Sequence, residues 1–209
     1  HRWMTPEAYI ARLKATLPNV RRIWLTGASG GAYGATLNFD RFARAFPQAE
    51  VHLLSDSGPF IQPTAHWPEW RDVWNLEMPA GCTDCDAGFP QIINHLGATW
   101  PNRRIGLLSY DRDPIIAWFA LAAPGLNNYL NPPIATFTAA LTQLEDAYDT
   151  RPNMGYFVTA GQEHVLFANY GTLQADGGYS ASMTSRDGGT TLRAWVNAWA
   201  TGTNWQSTR

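Results

Sequence analysis

A short glycine-rich turn between a predicted strand and a predicted helix places the strongest constraint on how this chain can fold. Residues 20–26 carry Val, Ile, Trp and Leu and run directly into G-A-S-G-G at 27–31, after which a helical pattern resumes over 32–46. A strand that passes through so short a turn into a helix is typical of a parallel sheet with covering helices. The sequence therefore predicts an α/β fold.

The rest of the chain repeats this alternation of strands and helices. Further strands are predicted at 51–54, 104–109 and 154–159, and further helices at 5–17, 91–96, from 114, at 134–148 and at 191–199. Between about 60 and 90 the pattern loses its regularity and gathers tryptophans, prolines and two cysteines, which predicts an inserted lid. We therefore expect one domain over 1–209, with a mostly parallel sheet and helices on both of its faces.

Composition excludes several classes of protein. Hydrophobic residues make up 45% of the 209 residues and charged residues 15%, as in a globular domain with a sizeable core. The 15 Lys and Arg are balanced by 17 Asp and Glu, so no broad basic surface is expected for nucleic acid. The longest apolar stretch is about a dozen residues, whereas a membrane-spanning helix needs about twenty. We expect neither a nucleic-acid partner nor a membrane span.

A lone C-T-D-C motif places Cys82 and Cys85 in a stretch rich in Gly, Pro and Asp. It predicts a short structural disulfide, and hence a secreted or periplasmic protein. Half of a zinc site is an alternative, but the sequence offers no second pair of ligands. A redox motif is another, but its cysteines would open a helix directly after a strand. We therefore predict no metal site.

The turn at 27–31 also matches G-x-S-x-G, the pattern of a serine nucleophile on a sharp strand-to-helix turn. Small flanking residues lift the hydroxyl of Ser29 above the strand end, and the backbone N–H of Gly30 is placed to bind an oxyanion. The alternative, a phosphate-binding turn, would require the lysine of a P-loop or the spacing of a dinucleotide-binding fingerprint. The sequence therefore predicts Ser29 as nucleophile and Gly30 as one oxyanion donor.

A serine nucleophile needs a base, and the base needs an acid, each on a loop after a later strand. His164 follows the last predicted strand and is the predicted base. Asp113 follows the preceding predicted strand, directly before a proline that suits the start of a helix, and is the preferred acid. Asp111 is the alternative acid, and Asp56 is a third candidate.

The inserted segment contains candidate substrate-binding residues. Phe60, His66 and Trp67 are predicted to lie along the substrate path, together with Trp70 and Trp74. Their rings suit stacking on sugars and packing against acyl chains equally well. The alternative is that they fill the core of the insertion itself.

With these residues in place, the chain resembles the pectin acetylesterase and Notum family of serine hydrolases, and its bacterial members most closely. The matching pieces are L-T-G-A-S-G-G at 25–31, L-S-D-S-G at 54–58, the acid loop at 107–113 and the loop of His164. The resemblance implies an α/β-hydrolase fold, no cofactor, and hydrolysis of a carboxylic ester. In known members the acyl group is an acetyl on a polysaccharide or a fatty acyl on a protein.

Two features depart from the family pattern. The family turn usually reads S-A-G-G, whereas 29–32 reads S-G-G-A. Only 28 residues precede Ser29, although α/β-hydrolases take a second oxyanion donor from a loop after an earlier strand. We therefore expect a C-terminal part of a larger hydrolase, whose N-terminal strands are missing here or come from a second chain.

These observations predict a serine esterase that deacetylates a polysaccharide through an acyl-enzyme on Ser29. The first alternative is an esterase for lipid acyl or polyester substrates, and the second is a non-catalytic binding protein of the same fold. An N-terminal histidine can also bind copper, as His1 would in an oxidative polysaccharide-cleaving enzyme, but those enzymes are β-sandwiches.

Overall fold

The structure is a computed structural model, and it describes residues 5–63, 67–122, 126–167 and 183–208. Four parallel strands form one sheet in chain order. They are β1 (Arg22–Ala28), β2 (Glu50–Asp56), β3 (Ile105–Tyr110) and β4 (Met154–Thr159). The predicted α/β class is confirmed, and because the strands are parallel, all four carboxyl ends lie at one edge of the sheet.

Eight α-helices connect and cover the strands in the described part of the chain. They are α1 (Pro6–Thr16), α2 (Gly30–Ala45), α3 (Trp67–Val73), α4 (Phe89–Thr99), α5 (Pro114–Leu121), α6 (Leu126–Leu130), α7 (Ile134–Asp149) and α8 (Leu192–Thr201). Pro6 and Pro114 begin α1 and α5. Proline already has the helical φ, and it has no N–H group that would lack an acceptor in the first turn. Within the described ranges, no helix is both long enough and apolar enough to cross a membrane.

The hydrophobic core lies on both faces of the sheet. One large cluster packs α1, α2, α4, α5 and α7 against one face, and a smaller cluster packs α8 against the other. Every residue of β3 and β4 is buried, as expected of strands with helices on both faces. β1 lies at an edge of the described sheet and alternates exposed with half-buried residues; Trp24 at its centre is 54% exposed.

The irregular segment between β2 and β3 folds into α3, a short 3₁₀ helix at Cys85–Ala87 and connecting loops. Cys82 and Cys85 form a disulfide, as predicted. Asp84 lies beside them, but both sulfurs are used in the disulfide, so the cluster offers no thiolate ligand to zinc. Asp40 on α2 anchors this segment, because its carboxylate accepts a hydrogen bond from the backbone N–H of Ala80.

Candidate active site

Ser29 lies at the turn between β1 and α2, where the sequence predicts the nucleophile. Its backbone has φ 54° and ψ −125°, a conformation that residues with a side chain rarely adopt. Its N–H donates to the carbonyl oxygen of Asp56 at 2.8 Å, and its own carbonyl accepts from Ala32 and Tyr33. Such a backbone costs about 1–3 kcal/mol and persists where the surrounding structure enforces it, which is common at active sites.

The glycines of this turn have different roles. A Cβ atom on Gly27 would collide with the backbone of Gly31, so the first turn of α2 can approach β1 only if residue 27 is glycine. A Cβ on Gly30 would have open space around it. Alanine at position 30, as in the usual S-A-G-G of the family, would therefore fit this turn equally well.

Gly30 is the first residue of α2, and the side chain of Ser29 makes no capping hydrogen bond there. The first N–H groups of a helix have no acceptor within the helix and lie at the positive end of its dipole. The N–H of Gly30 therefore suits the role of an oxyanion donor. A second donor from an earlier strand's loop is not identified among the residues that the structure describes.

Asp113 and His164 form a directed pair after β3 and β4. His164 Nδ1 lies 2.7 Å from Asp113 Oδ2, and Asp113 is fully buried. The other oxygen, Oδ1, accepts from the N–H groups of Ile115 and Ile116 at 3.0 Å and so caps α5. Because these bonds fix the carboxylate, Oδ2 is held toward the imidazole, and a carboxylate can only accept. The proton therefore resides on Nδ1, and the lone pair of Nε2 is free to act as a base.

The structure brings Ser29, Asp113 and His164 to the same edge of the sheet without joining all three by hydrogen bonds. The Nε2 atom of His164 is buried and has no hydrogen-bond partner among the described atoms, so no such bond connects it to Ser29. In hydrolases without substrate this contact is often long, and it tightens in the complex. His164 Nε2, the atom that would accept the proton, therefore has no hydrogen-bond partner among the described atoms.

The two other candidate acids have different contacts. Asp111 accepts from the N–H of Gly161 at 3.0 Å, at the start of the loop that carries His164. Asp56 accepts from backbone N–H groups of Leu166 and Phe167. Of the three carboxylates, that of Asp113 is hydrogen-bonded to the imidazole.

The remaining described histidines are structural. His52 is buried in β2, and its Nδ1 accepts from the N–H of Arg104 at 3.0 Å. Burial, with the nearby Arg104 charge, lowers the pKa of His52 to about 4, so this ring is neutral at pH 7. His95 lies within α4, 3.2 Å from the hydroxyl of Thr99. His66 and His1 lie outside the described residues.

Phe60 and Trp67 differ from the prediction that they contact substrate. They are only 2% and 5% exposed, and both rings pack against Phe89 in the core. Trp67 also donates its indole N–H to the backbone carbonyl of Asp86 at 2.7 Å. This burial leaves no ring face on which a sugar could stack, and it fits the alternative that these rings fill the core of the insertion.

A cleft of about 660 Å³ opens beside Gly30. Its apolar wall includes Trp74, which is 39% exposed, and Phe119 of α5, whose ring stacks on that of Trp74 at 6.1 Å between centroids. Arg41 and Glu77 form an ion pair in the lining. The sequence did not predict that Phe119 lines a cleft, because this residue belongs to an apolar helix whose pattern is the same as that of a core helix.

Comparisons with known proteins give a family match over part of the chain and a fold match over most of it. Residues 7–69, which include the Ser29 turn and Asp56, match the sequence model of the family described as Pectinacetylesterase. The fold matches a crystal structure of the Wnt deacylase Notum from Drosophila with a TM-score of 0.59 and 20% sequence identity, over 94% of this chain and 59% of that chain. No curated protein matches the sequence. The predicted α/β-hydrolase-like fold is confirmed, and the chain spans about 59% of the length of that Notum structure.

Proposed function

We propose that this chain is a serine carboxylester hydrolase, as its sequence predicts. Part of its sequence matches the pectin acetylesterase family, and its fold matches that of Notum. The observation that carries this proposal is the Asp113–His164 pair, whose Nδ1–Oδ2 distance is 2.7 Å, at the same sheet edge as the strained Ser29 turn. A histidine that has a free Nε2 and is oriented by a buried acid is the base that a serine nucleophile requires.

The reaction follows from the role that each group would have. His164 Nε2 removes the proton of Ser29 as the hydroxyl oxygen attacks the ester carbonyl, and the N–H of Gly30 stabilises the oxyanion that forms. His164 then returns the proton to the leaving alkoxide, which gives the free alcohol and an acyl-enzyme. A water molecule attacks the acyl-enzyme by the same route and releases the carboxylic acid and Ser29. The carboxylate of Asp113 stabilises the imidazolium that exists in each half-reaction.

The substrate that we propose is an acetylated polysaccharide, and the description of the matching family supports this choice. We also propose that the protein is secreted or periplasmic. The Cys82–Cys85 disulfide supports this location, because disulfides persist in oxidising compartments.

A fluorophosphonate probe tests the proposal directly, because it phosphonylates an activated serine. We expect one label per folded chain, located on Ser29 by peptide mapping with mass spectrometry. The same protein unfolded in denaturant is the control and should take up no label, since the serine is activated only by the folded site. A folded sample that stays unlabelled would contradict the proposal and favour a non-catalytic binding protein of the same fold.

A longer acyl group is the second candidate for the substrate, and the apolar wall of the cleft beside Gly30 favours it. If the cleft takes an acyl chain, kcat/KM on p-nitrophenyl esters should rise by about fourfold for each buried CH₂ between acetate and octanoate. Trp74→Ala should then lower kcat/KM on the octanoate ester by about 10-fold and leave kcat/KM on the acetate ester unchanged. Tyr129→Ala, at an exposed aromatic residue outside the cleft, is the matched control. A profile that is highest for acetate would rule out this second candidate.

A further inference from the structure

The loop that carries His164 is held by two side chains from the carboxyl end of β2, at the same edge of the sheet. Asp56, at the end of β2, accepts from Leu166 N–H at 2.9 Å through Oδ1 and from Phe167 N–H at 2.8 Å through Oδ2. Ser57 Oγ accepts from Val165 N–H at 3.0 Å. Three consecutive amides directly after the predicted base are therefore bound by two adjacent residues of the S-D-S-G segment.

The two side chains also fix one another. Ser57 Oγ donates to Asp56 Oδ1 at 3.2 Å, and both residues are fully buried. Ser57 has φ 55°, and its own N–H donates to the carbonyl of Leu108 on β3. The segment is thus anchored to the centre of the sheet while its side chains reach the loop.

The loop itself adopts a backbone that needs such support. Val165 has φ 68°, which is uncommon for any residue with a side chain and a genuine outlier for a β-branched one. A conformation of this kind persists only where neighbouring contacts enforce it. Because Val165 directly follows His164, its backbone fixes the position of the peptide bond next to the residue that carries the imidazole.

Asp56 is a costly residue to keep at this position. Burial raises the pKa of its carboxyl group, whereas the hydrogen bonds from Leu166, Phe167 and Ser57 lower it. A buried carboxylate is tolerated when hydrogen bonds satisfy its oxygens, and here the donors are the amides of the loop. The main chain of the same residue accepts the hydrogen bond from Ser29 N–H. Asp56 therefore contacts both the nucleophile turn and the histidine loop.

We propose that Asp56, assisted by Ser57, is a positioning residue that fixes the His164 loop relative to the Ser29 turn. The inference rests on the proposed esterase function and extends it, since the side chain of Asp56 binds the main chain that carries the base. A misplacement of about 1 Å in such a constellation can cost on the order of 100-fold in rate. The three N–H bonds keep Nε2 at the position where it takes the proton from Ser29 and gives it to the leaving group.

Asp56→Asn tests this role while it preserves the size of the side chain. An amide presents one acceptor and one donor group, so the NH₂ group opposes either Leu166 N–H or Phe167 N–H and displaces the loop. Asp40→Asn is the matched control, because Asp40 is also a buried carboxylate that accepts hydrogen bonds, from Trp100, Ala80 and Arg44, away from the site.

Two acetate esters separate positioning from a loss of folded protein. Ethyl acetate needs His164 to protonate its leaving alkoxide, whereas p-nitrophenolate leaves without a proton. Asp56→Asn should lower kcat/KM on ethyl acetate by about 100-fold, and that loss should be about tenfold greater than the loss on p-nitrophenyl acetate. Asp40→Asn should change both by the same factor. Equal losses on both esters in Asp56→Asn, or no loss, would overturn the proposal.

A second measurement does not depend on activity. The proton on His164 Nδ1, held by Asp113, should give a low-field NMR resonance in the parent protein and in Asp40→Asn, and it should be lost in Asp56→Asn. If the parent hydrolyses no ester, the proposed function fails, and the NMR comparison alone decides the positioning role; an unchanged resonance in Asp56→Asn overturns it. If Asp56→Asn does not fold, Ser57→Ala removes the bonds of Ser57 Oγ to Val165 and Asp56 and keeps the bonds of Asp56 to Leu166 and Phe167, so it should show both effects in weaker form.

Discussion

Ser29→Ala is expected to lower kcat for ester hydrolysis by about a million-fold while the fold is retained. The substitution removes the hydroxyl that would form the acyl-enzyme. It leaves the turn unchanged, because alanine and serine both have a Cβ and carry the same strain at φ 54°. Steady-state kinetics on p-nitrophenyl acetate measures the effect, and the circular dichroism spectrum should match that of the parent.

Ser29→Gly is the companion that separates chemistry from stability. The backbone at residue 29, with φ 54° and ψ −125°, lies close to a turn conformation that glycine favours. Glycine relieves the strain there but costs roughly 0.5–1 kcal/mol in chain entropy, so we expect Ser29→Gly to be about 1 kcal/mol more stable than Ser29→Ala. Urea unfolding measures this difference. Both variants should be inactive, and activity retained in either one would place the nucleophile elsewhere.

The parts of this fold that were predictable are those determined by neighbouring residues. The Ser29 turn is specified within five residues, because the small residues that the bend requires are adjacent in sequence. The start of α5 was predictable for the same reason, since Asp113 and Pro114 are a capping residue and a first-turn proline in succession. Strands β3 and β4 were predicted to within a residue because apolar runs of this length are bounded by turns.

The parts that were not predictable depend on contacts between distant segments. The bonds from Asp56 and Ser57 to the His164 loop span 108 to 111 residues, and only the parallel arrangement of the strands brings these groups together. The burial of Phe60 and Trp67 likewise depends on Phe89, since an aromatic ring has the same sequence signature in a core as on a binding surface.

The choice between Asp111 and Asp113 shows why a motif alone leaves the acid open. Both residues lie in one loop after β3, and either carboxylate satisfies the required order of nucleophile, acid and base. Side-chain direction distinguishes them. Asp113 divides its oxygens between the start of α5 and the imidazole, whereas Asp111 binds the N–H of Gly161.

Asp113→Asn is therefore expected to lower kcat by about 10,000-fold. The N–H groups of Ile115 and Ile116 require an acceptor, so they fix the amide oxygen of the asparagine at the position of Oδ1. The NH₂ group then faces His164 Nδ1 and donates to it. That bond selects the tautomer with the proton on Nε2, which can no longer accept the proton of Ser29. Kinetics on p-nitrophenyl acetate measures the loss.

Asp111→Asn is the matched control, two residues away in the same loop. The amide oxygen of the asparagine can still accept from Gly161 N–H, so we expect kcat to stay within about tenfold of the parent, the size of effect expected from one altered hydrogen bond. The two variants carry the same chemical change and the same change in charge, and they differ in the groups that the side chain contacts. A larger loss in Asp111→Asn than in Asp113→Asn would assign the acid to Asp111, and would mean that the loop rearranges when substrate binds.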